Sequence, residues 1–243
     1  MSPIELPAEH SGILRVATYN IHKGVQGLGP ARRLEIHNLG LAVEQLDADI
    51  VCLQEVRKMN HKEAAYFKRW PRVPQAEYLA PEGYAAVYRT NAYTRHGEHG
   101  NALLTRWPVV GHQHEDISDH RFEQRGLLHV EVEVQGRCVH AIVVHLGLIP
   151  GSRVRQVERL QRFIAREVPA GAPLVVANLW DVTDKDLDRF TLAVVEELFL
   201  SSASDAAGPD ADVLRVVARS RSVCKLPRIV GAAPVCWGGL PIR

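Results

Sequence analysis

Residues Ala48–Val56 read ADIVCLQEV, and this stretch decides the fold. From Asp49 to Leu53 (DIVCL) it is essentially one apolar run, too short and too β-branched for a helix, and therefore a strand buried on both faces. It ends in two polar residues, Gln54 and Glu55. Upstream, Leu14–Ile21 (LRVATYNI) is a second strand of the same kind, with Asn20 at its end. Between the two, Gly24, Gly27, Gly29 and Pro30 make a loop, and helical spacing of Leu34, Leu39, Leu41, Val43 and Leu46 predicts a helix over Ala31–Leu46. Downstream come a short helix at Lys62–Arg69 and strands at Tyr84–Tyr88 and Ala102–Thr105 flanking a loop, Arg89–Gly100. Leu127–Val134 and Arg137–His145 form a hairpin about Gln135–Gly136. Ser152–Val168 is an amphipathic helix, with Val154, Val157, Leu160, Phe163 and Ile164 on its apolar face; Pro173–Ala177 is a strand and Asp186–Leu198 a helix. Helices interleaved with strands and hairpins predict an α/β (α+β layered) domain with mixed sheets.

Composition bounds the function. The chain has 243 residues, 46% hydrophobic and 23% charged, which excludes a disordered protein and allows a substantial core. Twenty-nine Lys and Arg against 28 Asp and Glu give no global basic footprint, so nucleic acid stays open as a partner but is not indicated by charge. Four cysteines without a CxxC spacing give no zinc ribbon and fit a reducing compartment. No apolar run is long enough for a membrane span, and Met1–Gly12 lacks the basic and apolar regions of a signal peptide. A cytoplasmic monomer is the expectation. All 12 histidines fall between His10 and His145, so Leu146–Arg243 can supply no imidazole.

The informative polar residues stand at the ends of buried strands: Asn20, Glu55, Asn101 and His145. A carboxylate, two amides and an imidazole gathered at one sheet edge suit a hard cation such as Mg²⁺ with a bound phosphate, because Mg²⁺ takes few carboxylates and keeps several waters. Each residue has a plainer reading as well. Glu55 can be a solvated residue past a strand, His145 a satisfied core histidine, and Arg125 a salt-bridge partner. His22 and Lys23 read as a surface loop at a site rim. His96 and His99 read as part of a solvated loop, and His112 and His114 as facing solvent. Asp181, Asp184, Asp186 and Asp188 favour the start of the following helix through its dipole.

Taken together, TYNIHKG (Thr18–Gly24), ADIVCLQEV, HGNALLTRWPV (His99–Val109), Arg125–Gly126 and VHLGL (Val144–Leu148) resemble the endonuclease/exonuclease/phosphatase (DNase-I-like) superfamily, particularly its small bacterial cytosolic members. The resemblance covers Leu14 to Ala177. It implies a four-layer α/β/β/α sandwich of two packed mixed sheets, and hydrolysis of a phosphodiester or phosphomonoester by an activated water. It implies Mg²⁺ (or Mn²⁺) on Glu55, with Asn20 holding the metal or a phosphate oxygen. It places His145 at the phosphate or in proton transfer, Arg125 and Asn101 as substrate-binding groups, and Tyr88 near the scissile phosphate. The expected organisation is an N-terminal extension over 1–12, the family domain over 13–200 and a divergent segment over 201–243.

Two departures matter. After the strand PLVVA the family carries Gly-Asp-x-Asn, whereas this chain has Asn178-Leu179-Trp180-Asp181. Leucine cannot take a proton, and Asp181 offers a carboxylate two residues later, about 6.6 Å along an extended chain. The family's Ser-Asp-His motif is also missing, since no histidine follows His145. His22 and Asp181 are the candidates for a substitute general base. The C-terminal part reads either as divergent or as a shifted reading frame, and as an atypical or incomplete end to the sandwich. Two functions compete with an active phosphoesterase: a non-catalytic phosphate- or partner-binding descendant, and an inactive, unstable product.

Overall fold

A computed structural model describes residues 13–178 and the strand 215–221. Two mixed sheets carry the fold. The first contains β1 (Ile13–Asn20), β4 (Ile50–Val56), β5 (Ala85–Thr94), β6 (Gly97–Thr105) and β11 (Arg215–Arg221), in the order β11-β1-β4-β6-β5. The second contains β7 (Val109–Asp116), β8 (Gly126–Val134), β9 (Arg137–Val144) and β10 (Leu174–Asn178), in the order β10-β9-β8-β7. A two-stranded ribbon, β2 (Val25–Gln26) with β3 (Arg33–Leu34), lies between β1 and the first helix. The helices are α1 (Ile36–Leu46), α2 (His61–Tyr66), α3 (Gln75–Leu79) and α4 (Pro150–Glu167).

Strand alternation sorts the side chains into three apolar layers. Leu14 and Val16 of β1, Ile50 and Cys52 of β4 and Leu103 of β6 meet Leu128, Val130, Val132, Val139, Ala141 and Val143 of the second sheet. The residues between them along β1 and β4, namely Ala17, Tyr19, Val51 and Leu53, pack against Ile36, Leu39 and Val43 of α1 and against Ala76 and Leu79 of α3. Leu127, Ile142 and Val144 pack against Leu160 and Phe163 of α4 on the far side. The result is the four-layer α/β/β/α sandwich. β4, buried on both faces, is interior to its sheet, as its unbroken apolar run requires.

Several elements differ from their sequence reading. Arg89–Gly100 is not a loop: β5 and β6 continue through it as a paired ribbon, with Tyr93 opposite Glu98 and Thr94 opposite Gly97. Hydrophobic alternation fades there because the ribbon outruns the core, and Tyr93 is exposed. Gly97 closes the ribbon against Asn60, where a Cβ would run into the Met59 carbonyl. α1 starts at Ile36 instead of Ala31, because Arg33 and Leu34 pair with β2. Val154 is exposed on α4, whose inner face buries Ser152, Gln156, Leu160 and Phe163. Arg215–Arg221, within the segment read as irregular, pairs in parallel with β1 and is the last strand of its sheet among the described residues. The helix expected at Asp186–Leu198 lies outside the described residues.

Leu103 is fully buried between the sheets. Leu103→Ala should cost about 2–5 kcal/mol through lost transfer energy and a cavity that the paired strands cannot close. Urea denaturation followed by circular dichroism measures this as a lower midpoint with an unchanged slope.

Candidate active site

β1 and β4 run parallel with Asn20 opposite Gln54, so their polar ends coincide. Register with β6 then slips between Leu53 and Val56, and Glu55 takes φ +55°, a left-handed conformation that non-glycine residues rarely adopt. This bulge turns the Glu55 carboxylate off the strand's alternation and into the cleft. Backbone strain of this kind persists only where neighbouring contacts fix it. Here Gln54 Nε2 donates to Thr18 Oγ1 at 3.0 Å, and Ile21 N–H donates to the Gln54 carbonyl at 3.1 Å.

Glu55 is held from three sides. Asn20 Nδ2 donates to Oε1 at 3.3 Å, while Asn20 Oδ1 accepts the His22 N–H at 2.9 Å. Lys23 Nζ lies 2.9 Å from Oε2, and His145 Nδ1 lies 3.9 Å from Oε1. Lys23 reaches the carboxylate because His22 and Lys23 also take positive φ, at 46° and 61°. That turn is pinned by Gln75, which donates from Nε2 to the Lys23 carbonyl at 2.9 Å and accepts the Arg57 N–H at 2.8 Å. Gly24 completes the turn at φ +72°, where a Cβ would press on Gln75 Nε2.

The cleft above Glu55 is lined by Lys23, Asn91, His99, Gly100, Asn101, Gln124, Arg125 and His145. Asn101 is fully buried; its Nδ2 donates to the Gly126 carbonyl at 2.9 Å and the Val143 carbonyl at 3.0 Å, which leaves Oδ1 without a partner. Arg125 pairs with Glu123 at 3.0 Å, while its buried Nε has no partner. An unpaired acceptor and an unpaired cationic donor at the wall of one cleft are expensive unless a ligand satisfies them.

Electrostatics sort the titratable groups. Burial works to raise the Glu55 pKa, but the charges of Lys23 and His145 and hydrogen bonds from Lys23 and Asn20 outweigh it and hold the group at about 2. Burial, reinforced by the Arg125 charge, pushes His145 down to about 4, with Glu55 opposing. Burial and the Lys23 charge push His99 down to about 4 as well. At neutral pH the cleft therefore holds an ionised carboxylate and two neutral imidazoles. Glu55 and the free Asn101 Oδ1 are oxygen donors of the kind a hard divalent cation takes, and one carboxylate is within the usual number for Mg²⁺.

Of the residues singled out in the sequence, Glu55, Asn101, Arg125 and His145 line this cleft and Asn20 braces Glu55 from the end of β1. Tyr88 does not line it; it packs half-buried with the cluster on the α1 side, and its hydroxyl accepts from Thr90 Oγ1 at 3.4 Å. Asp181 lies outside the described residues. The sequence reading left out Lys23 as a contact of Glu55, and His99, Asn91 and Gln124 as lining. Lys23 and His99 sat in stretches read as solvated loops, and only the ribbon geometry and the positive-φ turn bring them inward. Their adjacency to the TYNIH and GNALL segments was the available signal.

In this fold a carboxylate at a bulged strand end lies beneath basic and imidazole groups at one cleft. A sequence model described as the Endonuclease/Exonuclease/phosphatase family matches residues 17–208, and the chain belongs to that family, whose members are phosphoesterases or nucleases. Uncharacterized protein YbhP of Escherichia coli K12 is 36% identical over 167 residues, which is 68% of this chain; the chain spans 65% of that relative's length. Among solved structures, a family protein from Leptotrichia buccalis superposes with a TM-score of 0.54 at 15% identity, covering 78% of this chain and 72% of the other. The mannosyl-6-phosphatase Bt3783 of Bacteroides thetaiotaomicron gives 0.51 at 17% identity, covering 75% of this chain and 70% of the other. A different likeness is also present: separin of Saccharomyces cerevisiae is 46% identical over 74 residues, 30% of this chain and 4% of that protein. Among the described residues, no helix is long and apolar enough to cross a membrane.

His145 and His99 carry lowered pKa values, so between about 6.5 and about 4 the unfolded chain binds protons that the folded chain refuses. Stability should fall as pH drops through that window. Unfolding free energies measured by urea at a series of pH values should show this slope, and His145→Asn should make it shallower.

Proposed function

We propose that this chain is a divalent-metal-dependent phosphoesterase whose centre is Glu55. The observation that carries this reading is the Glu55 carboxylate, forced into the cleft by a strained bulge and faced by Lys23, His145 and the unpaired Asn101 Oδ1. Glu55, with Asn101 Oδ1 nearby and Asn20 behind, would hold Mg²⁺ or Mn²⁺. The ion, when bound, supplies charge that polarises a phosphoryl oxygen and acidifies a water.

The chain's own groups do the rest. Lys23 and Arg125 place positive charge where negative charge grows on the phosphoryl oxygens, and a pre-placed donor costs no reorganisation. Neutral His145 and His99 can each donate one N–H to a phosphate oxygen while accepting at the other nitrogen. With pKa values near 4 they are weak bases, so they are better donors than proton acceptors here. Proton abstraction from the attacking water falls to His22 or Asp181, and a poorly placed base lowers the rate by about 10²–10⁴-fold. The substrate is a phosphodiester or phosphomonoester; the chain acts as a cytoplasmic monomer.

Hydrolysis of a chromogenic phosphodiester with Mg²⁺ or Mn²⁺ tests the reading. Turnover should stop with EDTA and fall at least about 100-fold in Glu55→Ala, as expected when a principal charge-stabilising group is lost. Metal-independent turnover, or turnover indifferent to Glu55→Ala, refutes it. Binding of a phosphorylated ligand without turnover would instead mark a non-catalytic descendant.

The separin likeness favours a second reading, about the chain's make-up. The YbhP and separin alignments take 68% and 30% of the chain, sizes that fit side by side. We place the separin-like stretch in the C-terminal part, overlapping the end of the family match that runs to residue 208 and including Asn178-Leu179-Trp180-Asp181, where the family pattern breaks. A segment of other ancestry accounts for the missing Ser-Asp-His motif without a shifted frame. Resequencing the encoding DNA from an independent isolate should find the same uninterrupted frame across this junction. Recovery of Gly-Asp-x-Asn in another frame would overturn the composite account.

A further inference from the structure

The outer face of the second sheet carries a group of metal-ligating side chains remote in kind and position from the Glu55 cleft. His129 and Glu131 alternate on β8, and His140 lies directly opposite Glu131 on β9. All three therefore share one face, the one covered by α4, where the His129 ring meets Phe163 edge-on at 5.6 Å. One ligating atom from each of His129, Glu131 and His140 lies within 4.8 Å of the other two, and both histidines are buried. Glu131 is half-buried, and Cys138, exposed, stands at the margin with Sγ 3.9 Å from His140 Nε2. The sequence reading passed over this group because the segments around it read simply as strands.

The two imidazoles are already aimed at one another. His129 Nε2 and His140 Nδ1 are 2.9 Å apart, with ring planes 10° from parallel. Gln113 Nε2 contacts both Glu167 Oε2 and His129 Nδ1 at 3.1 Å. The Glu167 carboxylate can only accept, so it fixes the Gln113 amide with nitrogen inward, and His129 Nδ1 accepts. The proton between the rings then sits on His129 Nε2. A divalent ion that takes both ring nitrogens must displace this proton and turn the Gln113 amide over. Two nitrogens on one tetrahedral zinc-class ion stand about 3.3 Å apart, from bond lengths of about 2.0–2.1 Å. The pair has to open by only a few tenths of an ångström.

We propose that His129, Glu131 and His140 form a second metal site, for one zinc-class transition ion, with the fourth position open toward solvent beside Cys138. The ligand set is two imidazoles and one carboxylate, which selects zinc-class ions over the hard Mg²⁺ that suits Glu55. The ion would clamp the β8–β9 hairpin beneath α4.

The test uses the full chain stripped with EDTA and titrated with Zn²⁺ or Co²⁺ alone. Glu55→Gln serves as background, so that the Glu55 cleft does not contribute its carboxylate. This protein should bind one Zn²⁺ and gain a higher melting temperature, with the His129 proton moving from Nε2 to Nδ1 instead of being released. With Co²⁺ it should show the visible absorption of a four-coordinate ion. Adding Glu131→Gln, a half-buried position where folding is safest, should weaken binding by at least about tenfold, since even groups behind the ligands typically cost 10–100-fold. His140→Gln should do the same, with circular dichroism checking that it folds. Absence of Zn²⁺ binding in the Glu55→Gln background, or binding unchanged by Glu131→Gln, overturns the proposal.

Discussion

The Asn101 side chain joins the two halves of this molecule. It belongs to β6 of the first sheet, yet its amide nitrogen donates to the carbonyls of Gly126 and Val143 in the second. Apolar packing between sheets is non-directional and would tolerate sliding; two hydrogen bonds from one fully buried amide do not. They fix the middle of β6 against the start of β8 and the end of β9. His145 follows directly from β9 and Arg125 directly precedes β8, so the same contact sets both relative to Glu55. The cost is an amide oxygen left bare inside the molecule.

Around that anchor, strain is concentrated in two turns. Glu55 and the pair His22–Lys23 all stand in left-handed conformations, and Glu55 and Lys23 make the carboxylate–ammonium contact. Neither turn is stable on its own propensity. Gln75, from α3, holds both by bonding the Lys23 carbonyl and the Arg57 N–H on either side. A short helix in the connection between β4 and β5 thus takes part in positioning the centre.

The sequence disclosed those parts whose physics is local. β4 was legible because burial on both faces leaves an unbroken apolar run, and α4 because its apolar positions recur with helical period. Glu55, Asn101, Arg125 and His145 were legible through motifs at strand ends, although a motif says nothing of the bulge that aims Glu55. The β5–β6 ribbon was missed because paired strands beyond a core bear no hydrophobic signature. Lys23 was missed because its role depends on a positive-φ turn held by Gln75, a contact 52 residues away. The His129–His140 pair was invisible for a related reason. Strand pairing alone brings the two rings together, and each histidine looks like an interruption in an apolar strand.

The pairing of charges in the cleft has a kinetic consequence. Lys23 is matched by Glu55 and Arg125 by Glu123, while His99 and His145 are uncharged near neutrality. The resting cleft is thus close to electroneutral and exerts little pull on a phosphate dianion arriving from solution. On the proposed metal-dependent reading, a divalent cation that drew Glu55 away from Lys23 would change this at one stroke, adding two charges and freeing the ammonium. The electrostatics would then impose an order of addition, cation before ester, because only the loaded cleft would attract anions.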